Sequence, residues 1–264
     1  MTIKVLVSGS GKMGREVLHA VSAEADMEPV GVVDLLSAEE YISLPGGETL
    51  VPFDRNPANL IARTRPDVIV DFTNAEWTPK LAKDALEANV RLVIGTSGVS
   101  DEFVAHLAEE CRKREIGALV ASNFGIGAIL MQQMARMAAR FYDTAEIIEL
   151  HHGNKADAPS GTSLATAKAI AEGHSGPLKV PETKKETIPG TRGGIADGVT
   201  IHSVRLPGLV AHQEVLFGAP GETLRISHDT MDRASFMPGV VLAVREVMKL
   251  KELVVGLDRL IGVE

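Results

Sequence analysis

The chain opens on a nearly unbroken apolar run, Ile3–Ser8 (IKVLVS), followed at once by glycines. From Met13 to about Ala25 the apolar positions change to helical spacing. The same change of period then repeats. Runs at Pro29–Asp34 (PVGVVD), Val68–Phe72 (VIVDF), Arg91–Ile94 (RLVI) and Ala118–Ala121 (ALVA) predict further strands. Amphipathic stretches near Asn56–Thr64, Thr78–Asn89 and Asp101–Arg114 predict the helices between them. Continuous apolar strands alternating with such helices imply a parallel sheet covered on both faces, a doubly wound α/β domain.

After Asn123 the alternation stops. Gly127–Tyr142 (GAILMQQMARMAARFY) reads as a helix, with Met131, Met134 and Met137 on an apolar stripe expected in the core. Thr144–His151 (TAEIIELH) alternates as a strand. Gly198–Arg205, Ala211–Phe217 and Glu222–His228 suit antiparallel pairing, and the turns LPGL and GAPGE between them suggest a meander of hairpins. The polar segment 179–197 predicts a loop or lid, and Pro238–Leu250 a helix returning to the first domain. The expected boundaries are 1–123 with 238–264 for one domain and 124–237 for the other. A length of 264 residues accommodates two modest domains.

Composition narrows the function. Hydrophobic residues make up 45% and charged residues 23%, an ordinary globular balance. A net charge of -8 argues against a nucleic-acid partner but leaves room for a local basic pocket. Cys111 is the single cysteine, so no disulfide framework or cysteine-based metal site is expected, and its polar surroundings suggest an inert thiol. The opening residues do not resemble a signal peptide, and no apolar run reaches about 18 residues. A cytoplasmic protein without a membrane span is expected.

The first turn, GSGKMG, sets Gly9, Gly11 and Gly14 in a G-x-G-x-x-G pattern between strand and helix, with Ser10, Lys12 and Met13 filling it. Gly9 permits the tight turn, Gly11 lets backbone approach a pyrophosphate, and Gly14 lets helix and strand pack closely. Asp34 ends the second strand about 20 residues on, where an acid binds the adenosine ribose. A Rossmann-type dinucleotide site follows. Asp34 repels a 2′-phosphate, and Leu35 and Leu36 offer no arginine, so NADH is favoured. Lys12 either reaches toward a 2′-phosphate or is a solvated loop charge, which keeps NADPH open. Ligands in such sheets lie beyond the strands' carboxyl ends, where the turns DFTN (71–74), GTSG (95–98) and ASNFGIG (121–127) fall. Gly95, Thr96 and Ser97 offer small side chains and accessible backbone near a nicotinamide. Ser122, Asn123 and Phe124 can bind its carboxamide and close one face of its ring.

Residues 149–170, ELHHGNKADAPSGTSLATAKAI, concentrate polar groups ahead of a helix. His151 and His152 are neighbours on a strand and face opposite ways, so they make poor joint metal ligands, and no third ligand stands at a recognisable spacing. No metal is expected. Lys155 is either a surface lysine or folds back toward His151. Ser160 suits the N-cap, which leaves the N–H groups of Gly161 and Thr162 as a carboxylate site. Together these groups suit an anionic substrate: the helix start and His152 for carboxylates, Lys155 as cation and proton donor, His151 as acid or base. His202, His212 and His228 are read as sheet or interface residues.

The run from His151 to Thr162, H-H-x-x-K-x-D-A-P-S-G-T, closely resembles the signature of the 4-hydroxy-tetrahydrodipicolinate reductase (dihydrodipicolinate reductase) family. KMG, DFT, GTSG, SNF, HSVRLPGLVAHQEVLFG and SFMPGV extend the resemblance along the chain. It implies an NAD(P)H-dependent oxidoreductase that reduces 4-hydroxy-tetrahydrodipicolinate to tetrahydrodipicolinate in lysine and diaminopimelate synthesis. It also implies an α+β substrate domain whose mixed sheet assembles a homotetramer. By position, His151 resembles the family's proton donor/acceptor and Lys155 its proton donor. His152, Ser160, Gly161 and Thr162 fall on the substrate site, and Gly9–Met13, Asp34, Gly95–Ser97 and Ala121–Phe124 on the cofactor loops. The first turn is one residue shorter than in many members. Two alternatives stand beside this one. An aspartate or homoserine dehydrogenase-like enzyme has no reason to carry HHGNKADAPSGT, and a non-catalytic dinucleotide sensor would need a partner element such as a basic helix-turn-helix.

Overall fold

In the computed structural model, which describes residues 2–47 and 49–262, the apolar runs of the first half become neighbours in one sheet. β1 (Ile3–Ser8) leads into α1 (Lys12–Ala23) and β2 (Met27–Val33). A short hairpin, β3 (Tyr41–Ser43) and β4 (Leu50–Asp54), precedes α2 (Pro57–Thr64), β5 (Val68–Asp71), α3 (Thr78–Glu87), β6 (Arg91–Ile94), α4 (Asp101–Arg114) and β7 (Ala118–Val120). Then come α5 (Ile126–Ala138), β8 (Thr144–His151), α6 (Gly161–Gly173), β9 (Gly194–Ala196), β10 (Val199–Arg205), β11 (Ala211–Ala219) and β12 (Glu222–Thr230). The chain ends with α7 (Met237–Val247), β13 (Leu253–Val255) and α8 (Asp258–Ile261). Two compact units result, one from Met1–Gly125 with Phe236–Gly262 and the other from Ile126–Ser235. No helix among the described residues is long and apolar enough to cross a membrane.

The first unit carries an eight-stranded sheet in the order β13-β7-β6-β5-β1-β2-β4-β3. Every pairing is parallel except the edge hairpin β3–β4. The chain winds outward from β1 in both directions, which opens a crevice beyond the carboxyl ends of the strands. Val5, Leu6, Ile69, Val70 and Val93 are wholly buried, as expected for strands covered on both faces. Local signals set the helices. Asn56 accepts the Asn59 N–H at 3.2 Å with Pro57 at the first position of α2, and Ser100 accepts the Phe103 N–H at 3.1 Å at the start of α4. On the return helix α7, Arg245 binds Asp26 at 2.7 and 2.8 Å and Glu24 at 2.5 Å, next to the start of β2. β3, β4 and β13 lay outside the expected strands. They are short and half-exposed at or near the sheet edges, so they lack the unbroken apolar run that marks a central strand.

The second unit carries a mixed sheet ordered β12-β11-β8-β10-β9. The expected meander is corrected here. β10 pairs parallel with β8, β11 pairs antiparallel with β8, and only β11–β12 is a hairpin. The LPGL turn therefore carries the chain past β8 and closes no hairpin. β9, inside the stretch expected to be loop, pairs antiparallel with β10. Ala145, Ile147, Val199, Ile201, Val215 and Phe217 form the inner face against Met131, Ala135, Ala167 and Ile170. The expected methionine stripe is also corrected: Met131 is buried, but Met134 and Met137 are 44% and 58% exposed. Steps of three residues rotate off a face that repeats every 3.6, and the buried positions of α5 are Ala128, Ile129, Met131, Ala135 and Ala138.

Candidate active site

The glycines of the first turn divide the work as their spacing implies. Gly9 has φ +96° and donates its N–H to Val33 O at 2.8 Å. Gly11 precedes α1 without any side-chain cap, and a Cβ on it would meet nothing within 4 Å. The start of α1 is thus open to an anion. A Cβ on Gly14 would lie 1.9 Å from Gly9 O, so turn and helix touch backbone to backbone. Lys12 is exposed and has no acidic partner among the described residues. This open, uncapped turn fits a dinucleotide's pyrophosphate.

Asp34 follows β2. Its Oδ2 accepts both the N–H and the Oγ–H of Ser10 at 2.7 Å, and its Oδ1 accepts the Leu36 N–H at 2.9 Å. Burial pushes its pKa up, but the donors from Leu36 and Ser10 outweigh this and hold it below the ordinary value. The carboxylate is therefore ionised at neutral pH. A cavity of about 290 Å³, lined by Asp34, Leu35, Leu36, Thr73, Asn74 and Trp77, opens beside it.

At the ends of β5 and β6 a buried carboxylate, Asp71, gathers three hydroxyls: Thr78 at 2.5 Å, Thr73 at 2.7 Å and Thr96 at 3.1 Å. Thr96 Oγ1 also accepts the Thr73 N–H at 3.0 Å, so the DFTN and GTSG turns form one hydrogen-bonded unit. A Cβ on Gly95 would fall 2.0 Å from the Phe72 ring, and Thr96 points inward, leaving Ser97 exposed. Phe72 meets Phe124 edge-on, with centroids 5.1 Å apart. Phe124 is only 2% exposed, which corrects the expectation that its ring covers a nicotinamide: the side chain is committed to core packing. Ala121 is buried as well, while Ser122 is exposed and Asn123 accepts the Gly125 N–H at 2.8 Å.

In the second unit β8 ends at His151 and α6 begins at Gly161. Ser160 caps this helix: its Oγ accepts the Ser163 N–H at 3.1 Å, and its carbonyl accepts the Leu164 N–H at 3.1 Å. The N–H groups of Gly161 and Thr162 precede the helical bonding frame. Buried Gln213, on β11, accepts from Ser163 Oγ at 2.8 Å and donates to Thr166 Oγ1 at 2.8 Å, which fixes the first turns of α6 to the sheet. His152 is exposed, and Lys155 Nζ donates to Asp157 at 2.7 Å.

His151 Nδ1 lies 2.5 Å from Glu149 Oε2, and Glu149 is completely buried. Arg205 grips the same carboxylate with both arms, NH1 to Oε2 at 2.8 Å and NH2 to Oε1 at 2.7 Å. Arg205 NH2 also donates to Asp157 O at 2.8 Å. Burial lowers the pKa of His151, Glu149 opposes that, and the charges of Lys155 and Arg205 add to the lowering. Burial alone would raise the pKa of Glu149, yet its hydrogen bonds, that of Arg205 foremost, bring it below the ordinary value. The sequence reading named none of Glu149, Arg205, Gln213 and Asp71 as site residues. One signal was present: Glu149 stands in phase with the inward-facing Ala145 and Ile147. His202 pairs with Glu146 and His212 with Asp229, each at 2.8 Å, as sheet residues. The Cys111 thiol is buried, its pKa pushed up to about 11.

Comparison with known proteins decides the family. Residues 3–124 match the family model "Dihydrodipicolinate reductase, N-terminus", and residues 127–261 match "Dihydrodipicolinate reductase, C-terminus". The chain belongs to the dihydrodipicolinate reductase family. Among similar sequences, a 4-hydroxy-tetrahydrodipicolinate reductase from Dehalococcoides mccartyi is 44% identical over 260 residues, covering 98% of each chain. Another from Lysinibacillus sphaericus is 45% identical over 273 residues, covering 99% of this chain and all of that one. A solved dihydrodipicolinate reductase from Paenisporosarcina sp. TG-14, with dipicolinate bound, has TM-score 0.88 and 41% identity over 98% of this chain and 99% of that one. An amine dehydrogenase from Mycobacterium smegmatis, at 15% identity and TM-score 0.67, shares the fold alone. This member of the dihydrodipicolinate reductase family is an oxidoreductase with a dinucleotide-binding Rossmann-type sheet.

Proposed function

We propose that this chain reduces 4-hydroxy-tetrahydrodipicolinate to tetrahydrodipicolinate in lysine and diaminopimelate synthesis, with NADH favoured over NADPH. One observation carries the reading: the start of α6, with the N–H groups of Gly161 and Thr162, follows directly on the segment bearing His151, His152 and Lys155. A cyclic dicarboxylate is the substrate class that uses all of these groups. The solved relative from Paenisporosarcina holds such a molecule, dipicolinate.

The two units have separate tasks. The first, with the glycine turn, Asp34 and the strand-end turns, holds the dinucleotide, whose dihydronicotinamide supplies the hydride when bound. The second holds the substrate: Gly161 and Thr162 meet one carboxylate through backbone N–H groups, His152 offers a ring N–H, and Lys155 contributes positive charge. Water leaves from the 4-hydroxyl, the ring gains the hydride, and a proton reaches the carbon or nitrogen that has gained electron density. Lys155 is the proton donor, with His151 exchanging a proton beside it. A dianionic substrate favours the charged form of His151, opposing the lowering that burial imposes on its pKa. General acid catalysis of this kind contributes about 10²–10⁴-fold.

The preference for NADH rests on Asp34, whose anionic carboxylate accepts ribose hydroxyls and repels a 2′-phosphate. Assembly as a homotetramer through the mixed sheet belongs to the same proposal. The face of β8 away from the helices carries Ile148 and Leu150, both half-exposed. Light scattering reads that assembly. Deuterium placed on the transferred position of the dihydronicotinamide tests the reaction: it should appear in the ring of the product, and label found only in solvent would overturn the reading.

A further inference from the structure

We propose that Glu149, held by the fork of Arg205, is the positioning residue that fixes the tautomer of His151 and sets its strength as an acid. The inference rests on the assignment of His151 as a proton-exchanging group. It starts from a mismatch in the sheet. The inner face of β8 presents Ala145, Ile147 and then Glu149, and a carboxylate takes an apolar position with no exposure to solvent. Well-packed apolar residues commonly serve stability as well as or better than a buried ion pair, so such a pair needs another reason.

The geometry supplies one. β8 and β10 run parallel with Arg205 opposite His151, which sets the guanidinium beside Glu149. The two parallel bonds at 2.7 and 2.8 Å keep the carboxylate ionised and fix its plane. Its Oε2 then holds His151 Nδ1 at 2.5 Å. An ionised carboxylate only accepts, so the imidazole must keep its proton on Nδ1, and Nε2 becomes the nitrogen that exchanges with substrate. Arg205 further binds the carbonyl of Asp157, two residues beyond Lys155, so one guanidinium positions both proton-handling residues. The charged groups around His151 are Glu149 on its own strand, Arg205 on β10, and Lys155 with Asp157 in the following loop. On the other side, β11 places the uncharged Ala211 and Gln213 opposite His151 and Glu149.

The test compares Glu149→Gln, His151→Ala and the double variant with the native enzyme, reading kcat, KM and the pH profile. Glu149→Gln should lower kcat about 10²-fold, the lower range of general acid catalysis, and leave KM for both substrates within a few-fold. Its kcat limb for His151 should move to lower pH, because imidazolium loses its carboxylate. Adding Glu149→Gln to His151→Ala should cost nothing further; losses that multiply would show a purely structural role and overturn the inference. Glu149→Asp, which keeps the charge, should restore part of kcat. Nitrogen NMR of the native His151 ring keeps the question open to test if Glu149→Gln does not fold: a proton on Nδ1 is expected, and a proton on Nε2 alone overturns the proposal. Should His151→Ala retain full activity, the assignment of His151 itself fails. If His151→Ala loses activity and Glu149→Gln matches the native enzyme, only the positioning role fails.

Discussion

Ser10 gives both of its donors, N–H and Oγ–H, to a single carboxylate oxygen of Asp34, each at 2.7 Å. The glycine turn and the end of β2 are thereby joined at the point where a dinucleotide's ribose would approach. Asp34 Oδ1 takes one N–H from Leu36 and keeps a lone pair for a hydroxyl. Ser10, expected as a direct cofactor contact, gives its donors to Asp34, the acid proposed to meet the ribose.

Asp34→Ala should therefore weaken NADH binding by about 10–100-fold, the loss of hydrogen bonds to a charged group worth about 1.5–3 kcal/mol. NADPH should lose much less, because the repulsion of its 2′-phosphate goes with the same carboxylate. Fluorescence titration of both dinucleotides checks this. Equal losses would remove Asp34 from the ribose site.

Lys155→Ala should reduce kcat by about 10²-fold or more while dinucleotide affinity stays near native. The lysine's charge also lowers the pKa of His151, so its removal should let that histidine titrate at higher pH. A pH profile of kcat separates the two effects. Unchanged turnover would refute the assignment of Lys155.

Gly14→Ala places a methyl where Gly9 O already stands, 1.9 Å away. Backbone cannot yield as a side chain can, so α1 must shift from the turn at a cost of about 1–3 kcal/mol. Both thermal stability and dinucleotide binding should fall. Gly11→Ala, with open space around it, should leave the melting temperature nearly unchanged and weaken only the dinucleotide.

Acid should act on the joint between α7 and the start of β2. The hydrogen bond from Arg245 lowers the pKa of Asp26 below its ordinary 3.8. A lowered carboxylate stabilises the fold above its unfolded pKa, and this is lost as pH falls through the lower folded value. Denaturant midpoints measured from neutral pH down to about pH 2 should show this contribution in the native chain. In Arg245→Met the stability should be lower at neutral pH, and the gap should close toward the acid end.

The sequence displayed the central strands well, because β1, β2, β5, β6 and β7 are buried on both faces and need unbroken apolar runs. β3, β4 and β13 were illegible for the opposite reason: short edge strands with mixed exposure carry no such run. The parallel pairing of β8 with β10 depends on distant contacts, and local turn chemistry suggested a hairpin instead. At the candidate site, the residues proposed to meet ligands form contiguous motifs, so GSGKMG and HHGNKADAPSGT were readable. The residues that support them were not: Arg205 and Gln213 act on partners 56 and 50 positions away, and Glu149 and Asp71 lie outside the motifs they steady. A charged residue on a strand also reads first as solvent-facing, which hid Glu149.

The most direct test of the central claim is parallel oxidation of NADH and NADPH by the purified chain, with substrate generated in situ from pyruvate and aspartate semialdehyde by its synthase. Rapid, substrate-dependent oxidation is predicted, with NADH the faster at limiting cofactor. Binding of both dinucleotides without oxidation of either would contradict the assignment as a reductase.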